Sequence, residues 1–206
     1  MPPISASFAR LLKATPPAVY FAPGSTFFTR CLDLPEEIDP SEVGGFVELS
    51  LEDLSPFATE QLYDGYVVAE TRDAVFVYAA YRRRFAAETT RDWADQAFVV
   101  PDFLPLLGST FAEDTSVFLE TGGEQTVMAF PAGRSVPTEL ISRPIPDTDD
   151  EAKLATWREE VRSAALERGL VHGTEEQWTG TWSVRETTGS LVFRLKGEET
   201  VEADEV

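Results

Sequence analysis

Residues 18–35 read AVYFAPGSTFFTRCLDLP, and the parsing of this stretch decides the fold. Ala18 to Ala22 is a short apolar run of the kind that forms a buried strand. Pro23-Gly24-Ser25 is a turn signal, because proline presets φ and glycine accepts conformations closed to other residues. Thr26 to Leu34 (TFFTRCLDL) is rich in β-branched and aromatic residues and reads as the returning strand. Pro35, which has no amide proton to donate, ends it. Two such runs around a tight turn predict a β-hairpin.

Moving downstream, Asp39-Pro40-Ser41 opens a helix on which Val43, Phe46, Val47 and Leu51 fall on one side. Gly44-Gly45 weakens that helix by about 1 kcal/mol per glycine relative to alanine. Leu62 to Val68 and Ala74 to Tyr81 read as two strands, Arg82 to Ala97 as a helix, and Phe98 to Leu107 as a short strand followed by a proline-broken segment. A second cycle then begins. Thr115 to Glu120 and Gln125 to Phe130 are strands joined through Thr121-Gly122-Gly123-Glu124, and Ser135 to Arg143 is a third extended piece. Asp147 or Thr148 caps a helix running to Glu167, with Leu154, Trp157, Val161, Ala165 and Leu166 as its apolar stripe and Gly169 as its stop. Trp182 to Arg185 and Leu191 to Leu195 form a last hairpin.

Upstream, Met1 to Lys13 carries Ile4, Phe8, Leu11 and Leu12 at the spacing of a short amphipathic helix, which Pro16-Pro17 ends. It lacks the basic start and unbroken apolar core of a secretory signal, and no stretch of the sequence is apolar for about 18 residues. At the other end Glu198, Glu199, Glu202, Asp204 and Glu205 make an acidic segment that the composition marks as disordered. Strands followed by a helix, twice over, predict an α/β (α+β) protein with two regions, 1–110 and 111–197, and an acidic tail, 198–206. Both cycles open on strand, glycine turn and strand, an internal echo.

Charge narrows the function. Seventeen Lys+Arg against 36 Asp+Glu give a net charge of −19, which opposes binding to nucleic acid and docking on an anionic membrane surface. With 43% apolar and 26% charged residues among 206, the chain is globular. One cysteine excludes an internal disulfide and a Cys-based zinc cluster, and fits a reducing compartment. One histidine leaves a hydrolytic triad a single candidate base. No set of titratable residues stands at a distinctive catalytic spacing, so neither a catalytic residue nor a metal ligand is assigned.

The order of the pieces, from Pro23-Gly24, Phe28, Arg30 and Leu34-Pro35 through Pro56-Phe57, Glu60 and Tyr66, then Val75 to Arg84, then Val100-Pro101-Asp102, resembles the actin-like PilM proteins of type IV pili and the cytoplasmic domain of GspL of type II secretion. The resemblance covers Ala18 to Gly108 and extends more faintly to Gly169. It implies an actin-like (ribonuclease H-like) fold of strand hairpins and helices, incomplete relative to full-length actin-like ATPases. It also implies a cytoplasmic protein, peripheral to the bacterial inner membrane. The implied partner is the tail of a bitopic membrane protein of PilN type, or the secretion ATPase.

In the actin-like fold two Asp-x-Gly loops grip nucleotide phosphates and magnesium, glycine letting backbone amides approach the phosphates. Glu120, Gly122 and Gly123 are the counterpart of the second loop, with glutamate in place of aspartate. Met1 to Pro17, where the first loop belongs, has neither glycine nor aspartate. The resemblance therefore implies a scaffold without ATP or magnesium, with a divergent actin-like ATPase as the alternative. Glu120-Thr121-Gly122-Gly123 remains open to both readings, a degenerate phosphate loop or a plain β-turn. Pro56 and Phe57, in an aromatic segment around a proline, and the cluster Arg82, Arg83 and Arg84 are candidate partner-binding residues, the arginines suited to an acidic segment. His172 reads as a surface turn residue and Cys31 as a small buried hydrophobe.

Overall fold

The computed structural model describes residues 19–85, 90, 98–187 and 190–196. The expected N-terminal helix, the segment where a first phosphate loop belongs, and the acidic tail lie outside the described residues.

Eleven strands and two α-helices appear among them: β1 (Val19–Ala22), β2 (Phe28–Asp33), α1 (Val43–Leu54), β3 (Leu62–Val68), β4 (Ala74–Tyr81), β5 (Phe98–Pro101), β6 (Thr115–Thr121), β7 (Glu124–Phe130), β8 (Glu139–Pro144), α2 (Glu151–Glu167), β9 (Thr174–Thr179), β10 (Thr181–Thr187) and β11 (Ser190–Lys196). They form a mixed α/β structure. A three-stranded antiparallel sheet has the order β2-β4-β3, and a four-stranded sheet the order β8-β7-β6-β9. In the second sheet β6, β7 and β8 are successive antiparallel strands, α2 follows, and β9 returns parallel to β6. That is the ribonuclease H-like arrangement, in which the helix supplies the crossover that two parallel neighbours require.

Alternation along the central strands assigns each sheet two buried faces. On β4, Val75, Val77 and Ala79 pack under α1 with Val43, Val47 and Leu51, while Ala74, Phe76, Tyr78 and Ala80 face a central core. On β6 and β7, Val117, Leu119, Met128 and Phe130 face the same central core, while Phe118, Val127 and Ala129 pack under α2 against Val161 and Ala165. The layers therefore run α1, sheet, core, sheet, α2. β4 reads as a near-continuous apolar run because both its faces are covered, and β6 and β7 are apolar on both faces only at 117–119 and 127–130. The loop after β5 fills the middle: Phe103, Leu104, Leu106 and Leu107 are at most 1% exposed.

Four sequence expectations need correction. The segment 18–35 is not a hairpin: β1 pairs in parallel with β5, and β2 pairs with β4 in another sheet. A 3-10 turn, Gly24–Thr26, lies between them and redirects the chain, so the internal echo has no structural basis. Arg82 does not begin an α-helix. Arg82–Arg84 is a single 3-10 turn and Phe85 is extended, and most of the rest of that expected helix lies outside the described residues. The cap of α2 is Asp150 rather than Asp147 or Thr148, and Leu166 is 55% exposed, off the buried stripe. The strand expected from Ser135 begins at Glu139. The β3–β4 and β6–β7 hairpins, α1 and the β10–β11 hairpin match the expectations.

Candidate functional site

The β6–β7 turn is the first place to look. Gly122 and Gly123 have φ of +59° and +78°, and Thr121 pairs with Glu124, so the turn is the two-residue primed type whose twist suits a hairpin. Glycine is needed at both positions for that backbone, whatever else the turn does. Glu120, the residue in the aspartate's place, is occupied. Arg158 on α2 clasps it with Nε at 2.8 Å from one carboxylate oxygen and a terminal nitrogen at 3.1 Å from the other, and the Gln125 amide donates to it at 3.2 Å. A bidentate pair of this kind is strong and directional.

Beneath the turn is a polar cluster with no clear sequence signal. Glu124 is 4% exposed and accepts three hydrogen bonds: from the Ser25 amide at 3.1 Å, the Ser25 hydroxyl at 2.8 Å and the Ser142 hydroxyl at 2.8 Å. Thr126 donates to the Ser142 oxygen. Asp102, at the end of β5, is 2% exposed, and neither carboxylate oxygen has a hydrogen-bond donor in good geometry. Burial above all, and then the Glu124 charge, push its carboxyl up to about 7, while the nearby Gly24 and Phe103 amides only partly offset them. Two glycines make the room. A Cβ on Gly24 would sit 2.9 Å from one Asp102 oxygen and 2.7 Å from the Ser142 hydroxyl, and one on Gly122 would sit 3.3 Å from the other Asp102 oxygen. Trp182, on β10, donates its indole N–H to the Asp102 carbonyl at 2.6 Å. Five separated segments thus meet around two carboxylates. The only sequence hints were an aspartate set among apolar residues and a glutamate directly after Gly122-Gly123.

The partner-binding candidates, distant in sequence, come together. Phe57, 39% exposed, stacks on Tyr81 with centroids 4.0 Å apart and planes 8° from parallel. Tyr81 leads straight into Arg82–Arg84. Arg82 donates Nε–H to the Leu62 carbonyl at 2.7 Å and lies 4.7 Å over the Tyr63 ring, and Phe85 meets Tyr63 edge-on. Pro56 is exposed beside Phe57. His172 is exposed in its turn, with Nδ1 3.2 Å from the Gly169 carbonyl. Cys31 is half-buried against the central core, and burial raises its thiol pKa. Among the described residues no three His, Cys, Asp or Glu side chains gather as a metal site, and no helix is long and apolar enough to cross a membrane.

No family model matches the sequence, and no curated protein matches it. Solved structures do. The chain is similar to the cytoplasmic domain of EpsL, an inner-membrane component of the type II secretion system of Vibrio cholerae, at 16% identity and a TM-score of 0.46 over 79% of this chain and 60% of that one. It is similar to the PilM–PilN type IV pilus biogenesis complex at 13% identity and a TM-score of 0.46 over 76% and 59%. A Bacteroides thetaiotaomicron protein with an actin-like ATPase fold is similar at 11% identity and a TM-score of 0.39 over 82% and 62%. The chain thus spans about three fifths of the length of each of these structures.

Proposed function

We propose that the protein is a non-catalytic, actin-like scaffold on the cytoplasmic side of the bacterial inner membrane, holding the tail of a PilN-type membrane protein in a type IV pilus or type II secretion assembly and relaying it towards the secretion ATPase. The observation that carries this reading is the bidentate clasp of Arg158 on Glu120. In a nucleotide-gripping loop the carboxylate must be free to face magnesium, directly or through water. Here it is neutralised by an arginine, and the turn beside it is the shortest that joins two strands. An occupied carboxylate above a two-residue turn speaks against a magnesium–triphosphate at this place.

A surface for the tail is at hand. A cleft of about 450 Å³ between the start of α1 and the end of β3 is floored by Leu34, Ile38, Val43 and Tyr66 and rimmed by Glu36, Glu70 and Arg72. Two glutamates against one arginine leave the rim net acidic, which with the apolar floor suits a basic, partly apolar segment, and the net charge of −19 would speed its approach.

The second reading, a divergent ATPase, draws on one feature, the two buried carboxylates Asp102 and Glu124 close under Gly122. Differential scanning fluorimetry with millimolar Mg-ATP separates the two. Saturation at 100 times Kd adds about 2.7 kcal/mol to stability and a matching rise in Tm. The scaffold reading expects no rise with Mg-ATP. It also expects tight binding of a Lys- and Leu-bearing tail peptide that weakens when Glu36 and Glu70 are changed to lysine. A nucleotide-dependent rise in Tm overturns it.

A further inference from the structure

Strand β4 is buried without interruption from Ala74 to Ala80 and emerges into solvent at Tyr81, after which three consecutive exposed arginines turn across the end of the sheet. β4 is the central strand of its sheet, so these side chains stand on a rigid base. Among the described residues they share with Arg30, Arg72 and Arg143 the lack of a carboxylate within 4 Å, and of these six they alone are consecutive. Arg134, Lys153, Arg158, Arg162 and Arg168 each have a carboxylate within 4 Å. Among the described residues Arg82, Arg83 and Arg84 have none, although the Asp64 carboxyl lies near enough to Arg82 to feel its charge.

The arginines are also framed by aromatic rings: the Phe57–Tyr81 stack on one side, and Tyr63 with Phe85 under Arg82. The Arg82 guanidinium is held in place by the Leu62 carbonyl and the Tyr63 face, and Arg84 reaches towards the Thr26 carbonyl at 3.4 Å. Pre-set guanidinium forks match carboxylates, and less side-chain freedom is lost on binding when one of them is already fixed.

We propose that this face, built from Phe57, Tyr81, Arg82, Arg83 and Arg84, is a docking site for an acidic, aromatic-bearing segment of a partner protein. The segment's carboxylates pair with the arginine forks, and its ring or proline extends the Phe57–Tyr81 stack. This partner is opposite in charge to the tail that the acidic cleft suits, so the two surfaces would allow one molecule to bridge two partners. The site does not depend on the proposed scaffold function: an ATPase could carry it equally. An anionic polynucleotide is a poorer fit, because three cations on a body of net charge −19 release few counterions.

The test is fluorescence anisotropy of the full chain with a fluorescein-labelled peptide of eight glutamates interrupted by two tyrosines. Its controls are the same peptide with glutamine or lysine for glutamate, and a labelled single-stranded oligonucleotide. The acidic peptide is expected to bind at least tenfold more tightly than the glutamine peptide, although the molecule as a whole repels it. It should weaken at 300 mM NaCl and lose at least tenfold in affinity with Arg83→Glu/Arg84→Glu. Among the described residues the Arg83 side chain has no hydrogen bond or ion pair and Arg84 only a long hydrogen bond to the Thr26 carbonyl, so the variant should keep the wild-type Tm and circular dichroism. Phe57→Ala should weaken tyrosine-bearing peptides more than tyrosine-free ones. The proposal is overturned if the acidic peptide binds no better than its glutamine counterpart, if binding survives the folded double reversal, or if the lysine peptide or oligonucleotide binds better.

Discussion

Asp102 is the residue at which the structure carries its clearest internal strain. It is an aspartate sealed under a glycine turn, beside a second carboxylate, without a donor in good geometry. Its carboxyl releases its proton near pH 7 when folded and near 3.8 when unfolded. Between those values the folded state holds the extra proton, so this group's stabilising contribution is full below pH 3.8 and declines as pH rises to about 7. Since each unit corresponds to about 1.36 kcal/mol, the loss across the window is on the order of a few kcal/mol. Burial raises Asp64 in the same direction, whereas Asp39 and Asp73, held low by hydrogen bonds, lose stability only as pH falls below their ordinary range. Urea unfolding from pH 5 to 8 should show stability falling as pH rises, and Asp102→Asn should flatten that slope and gain on the wild type at pH 8. An unchanged slope in the variant would mean that Asp102 is ionised in the fold. Beyond its apolar neighbours, nothing in the sequence signals this, because Asp102 owes its burial to Gly24, Gly122 and Trp182, which only the folded chain brings to it.

At the scale of elements, local pattern was a good guide to what forms and a poor guide to what pairs. α1 could be read from Val43, Val47 and Leu51, and the primed turn from Gly122-Gly123, because these signals lie within one or two turns of the chain. Where two adjacent acceptors compete for a helix start, the pattern was ambiguous. Asp147 and Thr148 are plausible caps, yet Asp150 takes the amides of Ala152 and Lys153 at 3.1 and 3.3 Å. Asp150→Ala should therefore cost about 1 kcal/mol in chemical denaturation, with Asp147→Ala close to neutral. The far end of α2 was decided locally: Gly169, at φ +71°, donates to the Leu166 carbonyl and Leu170 to that of Ala165, which closes the last turn. Arg82–Arg84 shows the reverse. Three good helix formers were read as a helix start, but the strand before them and the Leu62 and Tyr63 contacts hold them in one 3-10 turn.

For the molecule as a whole, the dominant physical fact beyond its core is the excess of acidic groups, which repel one another more in the compact state than in the unfolded chain. Tm should rise by several degrees from 10 to 200 mM NaCl as the screening length shortens from about 30 Å to about 7 Å, and a flat or falling Tm would show that local ion pairs outweigh the net repulsion. The amino-acid sequence determined this charge, the α/β class, and the approximate extent of α1, of α2 and of the β3–β4 and β6–β7 hairpins. All of these follow from composition or from periodicities of two and 3.6 residues within a short window. Tertiary structure alone decided that β1 runs beside β5 and β2 beside β4, that Phe57 meets Tyr81, and that Asp102 is sealed beneath Gly122. Those are encounters between segments far apart in the chain. Their partners are chosen by how two sheets bury a shared core, a competition that no local pattern records.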